Sequence, residues 1–328
     1  MRVKQISVII QTNNPALTPI AEDKNPWVLL IITLAVTMIG FQMIGALLGF
    51  VFVFPFYDGS LMDFISEVSN PVNKDHLRVP LIIMQGIGSF TGFILFPWIL
   101  MKYIYHSSIS QLSKQSWAPV SILLSCLIVP FFMGFNSPFI EWNQNLQLPS
   151  FMSGIESKLR AMENMLEETS EFITHFDTPG QFILGLVVIA VIPAIGEELV
   201  FRGLVQNHVF RISHNIHAAI WIGAFLFSAF HLQFYGLVPR MFLGVLFGYL
   251  YYFSGSLLYP MIAHFTNNAL TLLMLYLYNL DIVSYNIEDS GSLPFFQIAL
   301  STAVTAVIIL LFRSNFQKST NDQLGESV

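Results

Sequence analysis

Phe182-Ile183-Leu184-Gly185-Leu186-Val187-Val188-Ile189-Ala190-Val191-Ile192-Pro193-Ala194-Ile195 is an unbroken apolar run, and Gly196-Glu197-Glu198-Leu199-Val200-Phe201-Arg202-Gly203 continues it with two carboxylates and an arginine. About 20 apolar residues of helix cross a bilayer core of about 30 Å, so the stretch reads as a transmembrane helix with charges set into it. An ionised side chain near the bilayer centre costs about 2.5–3.5 kcal/mol on insertion, so three in one turn mark a functional site.

Working outward, the whole chain repeats the apolar character. Of its 328 residues 54% are hydrophobic and only 10% charged, whereas soluble domains carry about 25% charged residues. The expected fold is all-α, a polytopic transmembrane helical bundle in one membrane-embedded domain, 1–328. Eight spans are expected, near 27–54, 79–104, 118–135, 181–206, 217–235, 239–254, 259–279 and 294–312, the sixth being short and followed by a tight break at Ser254-Gly255-Ser256. Residues 1–26 are polar and include Pro15, Pro19 and Glu22-Asp23-Lys24, and the first apolar run is too long for a signal-peptide core, so it reads as an uncleaved anchor.

A formal charge of -6 with no basic stripe argues against nucleic acid as a partner. Cys126, the one cysteine, excludes an intrachain disulfide and reads as a packing residue. With eight spans both termini share a side. Calling that side cytoplasmic places Arg2, Lys4, Lys24, Lys102, Lys114, Arg202, Arg211, Arg313 and Lys318 there, and leaves Lys74, Arg78, Lys158, Arg160 and Arg240 opposite, in agreement with the positive-inside rule. The expected location is a bacterial-type plasma membrane.

The outer connection 136–180 predicts an amphipathic helix. Ser153 and Glu156 have capping-box spacing, and Ile155, Leu159, Met162, Leu166 and Ile173 recur at helical intervals. Its first reading is a helix resting its apolar face on bilayer or bundle; its second is a lid. The pairs Gly45/Gly49, Gly88/Gly92 and Gly244/Gly248 predict close helix packing.

Residues four apart share a helical face, so Glu198 is expected to pair with Arg202 while Glu197 points about 100° away and stays unpaired. Pro193, four residues before Glu197, removes a helical hydrogen bond. On the next span Phe227 and His231 share a face. With a hairpin turn near Ser213-His214, Glu197 and His231 each lie about 17 positions from it and reach similar depth. The seventh span adds His264 and Asn268, again four apart, with Pro260 in its first turn. Such a set suits water activation: a carboxylate to take a proton, a histidine to relay it and donors for an oxyanion. His208, His214 and His217 read as solvated or headgroup-facing.

Glu197-Glu198-Leu199-Val200-Phe201-Arg202, then Phe227 to His231, then His264 to Asn268 resemble, in order, the EExxxR, FxxxH and HxxxN motifs of the CPBP family, the CAAX prenyl proteases and bacteriocin-processing intramembrane proteases. The resemblance spans 181–279, an expected catalytic core. It implies Glu197 as general base, His231 as its partner in holding water, His264 and Asn268 as oxyanion donors, Glu198, Arg202 and Phe227 as support, and a site opening to the cytosol. It also implies a peptide or membrane-associated protein, prenylated or bacteriocin-like, as substrate. No cofactor is expected: the HExxH helix of zinc proteases is absent, and Asn268 beside His264 suits an oxyanion hole better than a ligand set, although Glu197, His231 and His264 could supply three zinc ligands. A proton-coupled transporter is the rival reading, disfavoured because the polar groups gather in spans four to seven with none inside the first three. A membrane scaffold or immunity protein is the third.

Overall fold

The computed structural model describes residues 20–72, 74–113, 118–285, 287 and 291–325. Arg2, Lys4, Pro15, Pro19 and Lys114, used in the sequence reading, lie outside the described residues. Besides the short 3-10 helices Ile109–Leu112 and Ser150–Met152, ten longer helices appear among the described residues: α1 (Pro26–Phe56), α2 (Leu61–Ser69), α3 (Asp75–Ile104), α4 (Pro119–Gln144), α5 (Ser153–Thr174), α6 (Pro179–Ser213), α7 (Ile216–Ala229), α8 (Leu237–Ser254), α9 (Leu258–Asn279) and α10 (Phe295–Gly325). No strand is present among the described residues, and the all-α polytopic bundle expected from the sequence is what forms.

Six helices, α1, α3, α4, α6, α8 and α10, are long and apolar enough to cross a membrane. The other two of the eight expected spans differ for separate reasons. The span expected at 217–235 ends at Ala229 after 14 residues, about 21 Å of helix. The span expected at 259–279 is 22 residues long as α9, but His264, Thr266, Asn267 and Asn268 lower its apolar content. The third and fourth spans run further than expected, to Gln144 and Ser213.

Local sequence explains the punctuation. Pro26 opens α1 behind Asn25, whose side chain accepts from Trp27 N at 2.9 Å. Ser60 and Asp63 form a full capping box on α2. The tight break after α8 uses Gly255 at φ 61°, a left-handed cap whose N–H returns to Tyr251 O at 2.8 Å. The capping box expected on α5 does not form: the cap is Met152, and Glu156 instead holds Leu148 N and Arg160.

Helix α6 is the axis of the bundle, touching α1, α3, α7, α8 and α9, while α4 and α10 pack together on α8 and α9. Every residue from Leu199 to Val209 is buried, so this helix is enclosed all round. It therefore stays helical past its apolar run, through Gln206-Asn207-His208, to His214 in the left-handed region at φ 52°. His208 is fully buried, correcting its solvated reading: Tyr105 packs edge-on against its ring at 5.4 Å. His214 and His217 are exposed, as expected, and His217 Nδ1 meets Tyr249 OH at 2.7 Å.

The glycine pairs are packing contacts. A Cβ on Gly45 would stand 2.6 Å from Gly88 Cα, one on Gly92 2.6 Å from Phe41 N, and one on Gly244 3.0 Å from Ala224 Cβ. These approaches fasten α1 to α3 and α7 to α8. At Gly154, on α5, a Cβ would meet nothing within 4 Å. Gly92→Ala is accordingly expected to cost about 1–3 kcal/mol by overpacking and to lower the melting temperature in detergent, while Gly154→Ala leaves it unchanged or higher.

Candidate active site

Helix α6 delivers the charges in an unusual backbone. Leu186–Val191 and Leu199–Val205 are π-helical, with the α-helical turn Ile192–Glu198 between them. Wide turns of this kind cluster where the ladder is interrupted, and Pro193, just after the first of them, has no N–H to give to the ladder. From outside the helix, Asn268 Nδ2 on α9 donates to Ile189 O at 3.0 Å.

Glu198 and Arg202 pair as their spacing predicts. Arg202 Nη1 donates to Glu198 Oε1 at 2.8 Å, with the two side chains 2% and 0% exposed, so the pair lies fully out of solvent. The guanidinium also donates to Gly244 O at 3.0 Å and lies over the rings of Phe227 at 4.5 Å and Phe247 at 5.2 Å. Close packing at Gly244 thus brings the α8 backbone to the arginine.

The same oxygen, Glu198 Oε1, meets His264 Nδ1 at 2.8 Å. A carboxylate only accepts, so Nδ1 carries a proton, and this fixes the ring tautomer in the manner of a histidine-orienting acid. Stacking on Phe247, at 5.1 Å and 21°, fixes the ring plane. His264 Nε2 then faces Glu197 Oε2 at 3.9 Å. Glu197, 13% exposed at its side chain, accepts no hydrogen bond from another side chain among the described residues. It is the less enclosed carboxylate, as its position on the helix predicts.

His231 lies just past the end of α7, in the turn that follows Ala229, and its Nδ1 meets Phe227 O at 3.0 Å. A carbonyl only accepts, so the proton sits on Nδ1 and Nε2 is left as an acceptor. The Phe227 ring stands between the two histidines, its centroid 5.3 Å from His231 and 6.1 Å from His264, edge-on to both. No hydrogen bond or ion pair joins Glu197 to His231, or Asn268 to Glu197 or His264, among the described residues. The structure therefore joins Glu198, Arg202 and His264 directly, sets Glu197 beside them, and seats His231 across Phe227.

Two features escaped sequence reasoning. Arg240, counted there as an outer-side charge, is half-buried at the start of α8; its Nη2 donates to Gln233 Oε1 at 2.6 Å, and it lies within electrostatic reach of both Glu197 and His231. The signal was available: an arginine inside an apolar span is the same anomaly as Arg202. The second feature is a clamp on the segment that carries His231. From α5, Glu163 accepts from Tyr235 N at 2.8 Å and the Arg160 guanidinium lies 4.1 Å over the Tyr235 ring. Of the apolar face expected on α5, Leu159, Leu166 and Ile173 are half-buried, while Ile155 and Met162 are exposed, and Glu156, Arg160 and Glu163 are half-buried beside the first three. No signal in the sequence paired α5 with Tyr235.

Among the described residues no group of three or more His, Cys, Asp or Glu side chains is gathered closely enough to hold a metal ion. Glu197, His231 and His264 thus do not form a ready zinc ligand set in this arrangement.

Removing one member of a buried pair strands the other, at a cost of about 3–5 kcal/mol. Arg202→Met is expected to destabilise the purified protein on that scale, and adding Glu198→Gln to it to recover part of the loss, read as melting temperatures in detergent.

No curated protein and no solved structure matches the chain. The model of the Rce1-like family, described as type II CAAX prenyl endopeptidase Rce1-like, matches residues 179–270, from the first residue of α6 to beyond Asn268 on α9. The match encloses all six polar residues of the site and supports a CPBP-family protease, a CAAX-type intramembrane endopeptidase at the level of the family.

Proposed function

We propose that the protein hydrolyses a peptide bond in a membrane-associated substrate with water activated by Glu197 and His231. The observation that carries this reading is the division of labour between two adjacent carboxylates. Glu198 is fully buried and its Oε1 is engaged by both Arg202 and His264, whereas Glu197 is partly exposed and keeps its carboxylate free of side-chain hydrogen bonds beside His264 Nε2. Paired acids in unlike surroundings are how a site separates a structural group from a reacting one.

Glu197 takes the proton of the attacking water, and the bare Nε2 of His231 accepts the water's second hydrogen and orients its lone pair. His264 stabilises the tetrahedral oxyanion through Nε2–H as the imidazolium, since Nδ1–H is already committed to Glu198. The proton taken by Glu197 then passes to the leaving amine. We read the reaction as metal-free, with both histidines bonded through Nδ1 to protein oxygens and Asn268 to a backbone carbonyl. A prenylated or bacteriocin-like membrane-associated substrate is in keeping with the apolar helices that carry the site and with the family match.

Glu197→Gln keeps the shape of the side chain and removes the base, so turnover of a membrane-associated peptide in proteoliposomes is expected to fall by about 10²–10⁴-fold with the melting temperature preserved. Full activity in that variant would overturn the base assignment. A strong chelator is expected to leave turnover unchanged; loss of activity restored by zinc would overturn the metal-free reading. We further infer cytoplasmic termini: reporters fused after Val328 and inserted at Gly154 should fall on opposite sides of the membrane, the first of them cytoplasmic.

A further inference from the structure

Arg78, Arg160 and Arg202 each pair with a carboxylate, and Arg211 donates to the carbonyls of Ile20, Glu22 and Lys24. Arg240 differs from all four. Its Nη2 donates to the carboxamide oxygen of Gln233 at 2.6 Å, and its Nη1 is buried without a hydrogen-bond partner among the described residues. Glu163 is taken by Tyr235 N and Glu197 lies beside His264, and both act on Arg240 only from beyond ion-pair distance. A guanidinium does not shed its proton in a protein, so the charge stays. It is seated on the segment that carries His231. Gln233 belongs to that segment, and Gly236 at its end leaves the guanidinium room: a Cβ there would stand 3.1 Å from Nη2 and 3.4 Å from Nη1.

We propose that Arg240 is a specificity-determining residue of the candidate site, its free guanidinium edge receiving a carboxylate of the peptide substrate near the scissile bond. The inference rests on the peptidase reading of the site. The planar fork of N–H groups matches the two oxygens of a carboxylate, and hydrogen bonds between ions are about twice as strong as neutral ones. Position favours the role as well. Arg240 lies within electrostatic reach of Glu197 and His231, the two groups assigned to the water, so a carboxylate bound to it lies near the bond being cut. A fixed countercharge for Glu197 would instead pair with it directly, as Arg202 does with Glu198, and no such pair forms among the described residues. A charge drawn out of water is costly until an opposite charge meets it, and here the substrate brings that charge. The carboxylate is the free C-terminus of the peptide or an Asp or Glu side chain, since the fork accepts either.

Pools of N-palmitoylated octapeptides, degenerate over uncharged residues, serve as probes in three forms: with a free C-terminal carboxylate, with an amidated end and one Glu, and with the amidated end alone. In proteoliposomes the wild-type protein is expected to cleave one of the two acidic forms about 10- to 100-fold faster, as kcat/KM in direct competition, than the neutral form, the range of one charged hydrogen-bonded contact. Whichever acidic form wins identifies the source of the carboxylate. Arg240→Gln is expected to bring the ratio close to one, Arg240→Lys to keep part of it, and Gly236→Ala, whose methyl group pushes the guanidinium aside, to reduce it. Equal cleavage of the three forms by the wild type, or an unchanged ratio in Arg240→Gln, would overturn the proposal. Melting in detergent separates it from a structural duty. Arg240→Gln breaks no ion pair and is expected to melt close to or above the wild-type temperature; a loss as large as that of Arg202→Met would make Arg240 a structural countercharge and defeat the assignment. A binding measurement is independent of turnover. One of the acidic pools is expected to raise the melting temperature of Glu197→Gln by several degrees more than the neutral pool does, and adding Arg240→Gln is expected to abolish the difference. If the wild-type protein cleaves no peptide, the peptidase reading fails while this measurement still decides: equal shifts with acidic and neutral pools rule out the carboxylate site.

Discussion

One buried oxygen organises this molecule. Glu198 Oε1 accepts from Arg202 on its own helix and from His264 on α9, in a place where neither charge sees water. Desolvating a carboxylate and a guanidinium costs several kcal/mol per ion, and Coulomb attraction offsets this only when geometry is good and the remaining donors are satisfied. The surroundings meet this on the side of the guanidinium, whereas Glu198 Oε2 has no hydrogen-bond partner among the described residues. Gly244 permits α8 to bring its carbonyl to Arg202, and Phe227 and Phe247 present ring faces to the guanidinium. Helices α6, α7, α8 and α9 thus meet at one ion pair, and the reactive groups are arranged relative to it.

From that pair the chemistry spreads by fixed proton positions. His264 has its tautomer set by Glu198 and its plane by Phe247; His231 has its tautomer set by the Phe227 carbonyl. Each ring thus has its Nδ1 committed to a protein oxygen, and His264 Nε2 faces Glu197 Oε2 at 3.9 Å. Preorganisation of this kind lowers a barrier because the dipoles need not reorient when charge develops. Nothing comparable fixes Glu197, the group assigned to move a proton.

Much of this was legible in the sequence because it depends on helical spacing. Four-residue intervals gave the Glu198–Arg202 pair and the separate direction of Glu197, and the glycine intervals gave the helix contacts. What was hidden depends on distant partners. Glu156 abandons its capping box because Arg160 and Leu148 N compete for its carboxylate. His208 is buried because α6 is enclosed all round, which its polar neighbours Gln206 and Asn207 disguise. The bond from Asn268 to Ile189 O joins residues 79 positions apart, beyond the reach of helical spacing. Helix α7 stops at Ala229 although its apolar run continues, because the chain must turn to bring Tyr235 under α5.

The clamp on Tyr235 gives the site a dual character. Arg202, Glu198 and His264 are sealed in a medium of low polarisability, so ions in solution barely touch them. His231, by contrast, belongs to a segment gripped through Glu163 and Arg160, side chains of a largely polar helix outside the apolar spans; Arg160 is 41% exposed at its side chain. One half of the candidate site is thereby insulated, while the other is tethered to groups that dissolved salt screens. The segment that carries His231 is thus held by contacts that the ionic strength of the compartment facing α5 weakens or strengthens, a dependence that the buried half of the same site does not share.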